Sequence, residues 1–152
     1  MELPVGLRHV IGQTRLYTDG RAYVVIRVPL DEVYEGTAML AKMAEAFSAA
    51  IVDKDELTLV LPEDIWEDVQ DDLDWDQELL GYQLITFDIA LELGLVGYLA
   101  TLTNVVAEAG VSMLAFSAYQ RDHLLVPVSD FDRAWSALND FIAACREAEE
   151  EG

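Results

Sequence analysis

Cysteine is almost absent: Cys145 stands alone, so no intramolecular disulfide and no cysteine-built metal site is available. Positive charge is scarce too. Nine Lys and Arg face 29 Asp and Glu, giving 9 − 29 = −20, and the only lysines are Lys42 and Lys54. A surface of that sign repels phosphate backbones and anionic bilayers, which argues against nucleic acid or a membrane as partner. Long apolar runs are missing as well. The uncharged stretch Leu93–Ala107 is interrupted by Tyr98, two threonines and Asn104, and is shorter than the ~20 residues a bilayer requires. The opening "MELPVGLRHV" has no basic leader and no apolar block, so no signal peptide is expected, and the compartment expected is the cytoplasm.

The motifs of common catalysis are missing in turn. The chain contains no GxGxxG, no phosphate loop with Gly-Lys-Ser/Thr, no HExxH, no CxxC and no GxSxG. His123 follows Asp122, a pairing that would suit a general base, but no serine or cysteine is set by motif as its nucleophile. His123 therefore reads as a hydrogen-bonded residue at a strand start. The chain is expected to be no enzyme, with no catalytic residues, no cofactor and no metal.

What is present is a core: 53% of the 152 residues are apolar, enough for one ordinary domain or two small ones. The second half reads as strand, helix, strand, strand, helix. "YQLITFDIAL" from Tyr82 suits a strand. Leu95, Leu99, Leu102, Val106 and Ala109 then recur at three and four, the spacing of one helix face, and Gly110 supplies its C-terminal stop. "VSMLAFSAY" and "HLLVPV" form two strands across "QRD". A last helix buries Phe131, Trp135, Leu138, Phe141, Ile142 and Cys145 behind a cap at Ser129 or Asp130. This order is most of a ferredoxin-like split βαβ unit.

The first half repeats the order less regularly. "YVVIRVP" is a strand, Met39, Leu40, Met43 and Phe47 mark a shorter helix, and a hairpin turns around Asp53 and Lys54 before the short helix "PEDIWEDV". "AFSA" occurs at Ala46–Ala49 and again at Ala115–Ala118, an echo expected of a diverged duplication. The fold class expected is α+β, as two tandem βαββαβ modules with antiparallel sheets. Their bounds are 1–70 and 81–152, with an acidic connector at 71–80. From Glu63 to Glu78 nine of sixteen residues are acidic. Asp72, Asp74 and Asp76 alternate as in an EF-hand loop, but Gln77 replaces the required glycine and Gln83 the bidentate glutamate, so a solvated connector without specific calcium binding is expected.

The most informative stretch is "ELGLVG" at Glu92–Gly97, directly before the helix. It lacks the lysine and hydroxyl of a nucleotide site, and the field of the chain opposes phosphate. Backbone N–H groups at a helix start can instead hold a carboxylate, while Glu92 and Asp122 can receive a cation. A small molecule carrying both signs is a zwitterion, and an amino acid fits that description.

"ELGLVGYLATLTNVVAEAGVSMLAFSAYQRDHLLVPVSD" resembles the ACT domain, a small βαββαβ ligand-binding module of amino-acid metabolism. Within that superfamily it is most similar to the tandem-ACT proteins grouped with the CASTOR arginine sensors. Those carry a glutamate and a Gly-x-Val-Gly turn, then "AEAGIS", then "ST" with an aromatic, then "DHxLVP". The resemblance implies a non-catalytic, amino-acid-binding regulatory protein that forms a homodimer, with the ligand against a neighbouring ACT module. It places Glu92, Leu93, Gly94, Val96 and the adjoining Gly97 on one wall of the site, and Ala118, Tyr119, Arg121 and Asp122 on the other. Ala118 stands where the family often has threonine. Arg121 replaces an apolar aromatic of the arginine sensors, which puts arginine in doubt and admits a ligand with a second carboxylate. The alternative is a ligand-free module for protein–protein assembly.

Overall fold

The computed structural model describes residues 2–43 and 46–151. Two compact units emerge, one of residues 20–82 and one that combines residues 1–19 with 83–152.

In the 20–82 unit the strands are β2 (Ala22–Val28), β3 (Ala49–Val52), β4 (Leu57–Pro62) and the beginning of β5 (Gln77–Asp88). β4 pairs antiparallel with both β2 and β3, and β2 in turn neighbours β5. The Asp76 N–H donates to the Arg27 carbonyl at 2.9 Å where β5 begins. Helices α2 (Val33–Leu40) and α3 (Glu63–Val69) close a core of Val24, Ile26, Val28, Leu57, Leu59, Leu61 and Trp66. α2 lies earlier in the chain than the Met39–Phe47 pattern predicts, and residues 44–45 of that pattern lie outside the described residues. Its entry is set by Pro29, which starts the 3-10 turn Leu30–Glu32 that leads straight into the helix.

In the other unit, β1 (Arg15–Tyr17) pairs antiparallel with the end of β5, in the register Arg15 to Asp88, while β7 (Asp122–Pro127) neighbours β5 and pairs antiparallel with β6 (Leu114–Ser117). Helices α1 (Val5–Gly12), α4 (Tyr98–Glu108) and α5 (Phe131–Glu151) cover this sheet around Ile11, Ile85, Phe87, Leu102, Val106, Leu124, Leu138 and Ile142. The apolar stripe of α4 is buried as its spacing predicts, at Leu102 and Val106. Gly110, at φ +77°, ends it: its N–H reaches the Ala107 carbonyl and the Val111 N–H reaches that of Val106, the paired bonds of a Schellman cap.

Two boundaries differ from the sequence reading. Residues 1–19, assigned by sequence to a first module ending at residue 70, form α1 and β1 and pack with 83–152. Arg146 Nε donates to the Gly12 carbonyl at 2.9 Å, and a Cβ at Gly12 would sit 3.2 Å from the Arg146 backbone, so glycine permits that close approach. The segment 71–80 also differs from a solvated connector, since β5 already begins at Gln77. Within it Glu78 Oε2 accepts the Trp66 indole N–H at 2.7 Å, and just beyond it the Gly81 N–H donates to Glu63 Oε2 of α3 at 2.9 Å. Among the described residues no helix is long and apolar enough to cross a membrane.

Candidate functional site

Between the end of β5 and α4, the chain makes the turn Glu92–Leu95, closed by the Leu95 N–H on the Glu92 carbonyl at 3.1 Å. The opposite wall is the tip of the β6–β7 hairpin, where the Ala118 N–H meets the Arg121 carbonyl at 2.9 Å. The Leu91 N–H donates to the Gln120 carbonyl at 2.8 Å and joins the two walls. Between them lies a cleft of about 270 Å³.

Glu92, Leu93 and Gly97 line it from the turn, and Ala118, Tyr119, Arg121 and Asp122 from the hairpin. Gly94 and Val96 are not part of that lining; Val96 faces a separate groove along the helices. Leu93 and Tyr119 are 82% and 81% exposed, so the cleft has an open apolar rim. Tyr98 and Ser117 also line it and were not singled out from the sequence. Ser117 was findable in principle: it directly precedes Ala118 on β6, and its hydroxyl donates to Asp122 Oδ1 at 2.7 Å.

The left-handed glycine before α4 is Gly97, not Gly94. Gly97 has φ +90° and is the N-cap of α4, whereas Gly94 is not among the positive-φ glycines. A glycine cap brings no side chain to the helix end, and the first bond recorded there is the Thr101 N–H on the Gly97 carbonyl at 2.9 Å. The N–H groups of Tyr98, Leu99 and Ala100 precede it, on residues that line the cleft.

The cleft is acidic in its free charge. Glu92 and Asp122 lie on it, while Arg121 Nε donates to Asp88 Oδ1 at 2.9 Å. Arg121 is thus held by a carboxylate of β5, which weakens the expectation of a ligand with a second carboxylate. Behind the cleft, the Thr14 hydroxyl donates to the Val10 carbonyl at 3.0 Å, so the 2.7 Å contact with Tyr98 is made by the phenol proton. Burial, opposed by that bond to Thr14 and reinforced by the charge of Asp122, pushes the Tyr98 pKa up to about 12. His123 is placed as the sequence predicts, at the start of β7, with Nδ1 2.8 Å from Thr86 Oγ1. Burial lowers its pKa, against the charge of Asp122, so it is neutral at pH 7. Among the described residues no group of three His, Cys, Asp or Glu is arranged to hold a metal ion.

Residues 81–140 match the family model of the ACT domain. No curated protein matches the chain. Among solved structures it is similar to a Vibrio cholerae protein of unknown function described as a possible transport protein, at 24% identity and a TM-score of 0.67, covering 90% of this chain and 96% of that one. An Agrobacterium tumefaciens protein follows at 19% identity and a TM-score of 0.65, covering 84% and 88%. The ligand-free regulatory subunit of aspartate kinase from Thermus thermophilus matches at 15% identity and a TM-score of 0.57, covering 84% and 97%. At such identities the likeness establishes a shared fold. The mixed α/β fold with its antiparallel sheet is one shared with the regulatory subunit of aspartate kinase, and the cleft lies inside the ACT-matched segment.

Proposed function

We propose that the chain is a non-catalytic, cytoplasmic regulatory protein of two ACT-type modules, one of them completed by the N-terminal segment 1–19, and that it binds a small amino acid and works as a homodimer. The strand order supports the modular reading: β3-β4-β2-β5 in one unit and β6-β7-β5-β1 in the other follow the same pattern. The observation that carries the function is the cleft itself, where Glu92 and Asp122 approach the start of α4. The ligand ammonium is held by the two carboxylates, and its carboxylate by the N–H groups of Tyr98–Ala100. At about 270 Å³ the cleft falls just below the range of drug-sized sites, which suits a compact amino acid.

A thermal-shift screen of the common amino acids should find one that raises the melting temperature, because a ligand that binds only the native state stabilises it. Titration calorimetry with that amino acid should then show Asp122→Ala weakened by at least about tenfold, since removing one partner of a hydrogen-bonded charge pair costs about 2–5 kcal/mol. Glu92→Ala, on a more exposed residue, should lose less than Asp122→Ala. Equal affinities in three folded proteins would remove both carboxylates from the site. A screen with no response would favour the assembly module instead, a reading supported by the exposure of Leu93, Val96 and Tyr119 at 82%, 85% and 81%.

A further inference from the structure

A second concavity lies on the helical side of the unit formed by residues 1–19 and 83–152. It is a groove of about 1280 Å³ bounded by α1, α4 and α5. Its apolar wall includes Leu3, Val96, Val105 and Phe141. On α5 it is lined by Ala137, Asp140, Phe141, Ala144, Cys145 and Ala148, of which Ala137, Phe141, Ala144 and Ala148 follow one another at four, three and four along one helix face. Its charges are uneven: Glu2, Glu108 and Asp140 against Arg8.

We propose that this groove docks an amphipathic helix of a partner protein that carries lysines or arginines beside its apolar stripe. Three features select that occupant. The volume exceeds the range of about 300–1,000 Å³ typical of small-molecule sites. No strand residue lines the groove, so an added strand has no backbone ladder to join, while the alanines of α5 let a helix axis approach closely. The charge selects the partner's sign: the rim is acidic, and the chain as a whole carries −20. A second copy of this chain brings its own acidic helices to the same rim, with like charges opposed.

The test uses fluorescein-labelled peptides of about 18 residues, roughly five helical turns, with the whole protein at physiological salt. One peptide has a leucine stripe flanked by lysines, the second has glutamates in place of the lysines, and the third scrambles the first so that the stripe is lost. Fluorescence anisotropy should show the first binding at least about tenfold tighter than either control, because stripe and charge are both required. Ala144→Lys, at an exposed groove position, should weaken it about tenfold or more, while Ser136→Lys, an equal charge change on an exposed residue outside the groove, should change it less than about threefold. Circular dichroism checks that both variants are folded. Equal binding of the scrambled peptide would reduce the effect to diffuse attraction and overturn the proposal. So would Ala144→Lys binding like wild type. Sedimentation showing a dimer that Ala144→Lys alone dissociates would place a second copy in the groove and overturn it as well.

Discussion

Replacing Trp66 with alanine should destabilise the protein by about 3–5 kcal/mol, the range for deleting a large buried aromatic. Trp66 is 1% exposed in the core of the 20–82 unit, in an edge-to-face contact with Trp75 at 5.6 Å. Its indole N–H also satisfies Glu78 Oε2 at 2.7 Å. Deleting the ring therefore leaves a cavity, removes an aromatic pair and strips a carboxylate of its donor. Trp66→Phe keeps most of the volume and should cost only about 1–3 kcal/mol, mainly for the lost hydrogen bond and imperfect refilling. Urea denaturation followed by circular dichroism measures both. Equal losses in the two variants would mean that the hydrogen bond to Glu78, and not packing, dominates. A loss below about 1 kcal/mol for alanine would contradict the buried position altogether.

Gly97→Val should cost about 1–3 kcal/mol and at the same time weaken amino-acid binding by roughly tenfold or more. The reason is conformational. Gly97 holds φ +90°, a region that a β-branched residue enters only with strain, and relaxing it rotates the first turn of α4. Space is a lesser obstacle, since a new Cβ would meet Leu7 Cδ2 at 3.4 Å, an ordinary contact. Gly94→Ala is the matched control. Nothing lies within 4 Å of a Cβ there and φ is not positive, so stability should stay within about 0.5 kcal/mol. Thermal melts and calorimetry of the two variants decide the matter. If Gly94→Ala damages binding while Gly97→Val does not, the ligand lies on the other side of the turn.

His123 adds a pH dependence of known sign. Its folded pKa is lowered by burial, so its neutral form contributes stability above the ordinary histidine range, and that contribution is lost as pH falls through it. His123→Gln should flatten the acid limb of a plot of melting temperature against pH between about 5 and 7, relative to wild type. An unchanged limb would assign the acid sensitivity to other groups.

Local pattern in the sequence determined a good deal by itself. The three-and-four spacing from Leu95 onward marks the buried face of α4, and Gly110 its end, because helix periodicity and a left-handed cap are properties of a few consecutive residues. The turn before α4 and the tip of the β6–β7 hairpin, which supply Glu92, Leu93 and Gly97 and Ala118–Asp122 to the cleft, were legible as local features for the same reason, although Gly94 and Val96 of that turn region lie outside its lining. Tertiary structure decided what depends on pairing between distant residues. Nothing near Arg15 announces that β1 lies beside Asp88, because strand pairing is a choice between edges and not a local pattern. Two glycines three residues apart look alike in sequence, and only the folded backbone shows that the positive φ falls on Gly97, the cap of α4, and not on Gly94. Arg121 read as a free cation until Asp88 came within 2.9 Å of it, and Glu78 read as solvated until β5 brought it to Trp66. Each of those charges was visible in the sequence, but its partner lay at least twelve residues away, at a separation where composition carries no information about contact.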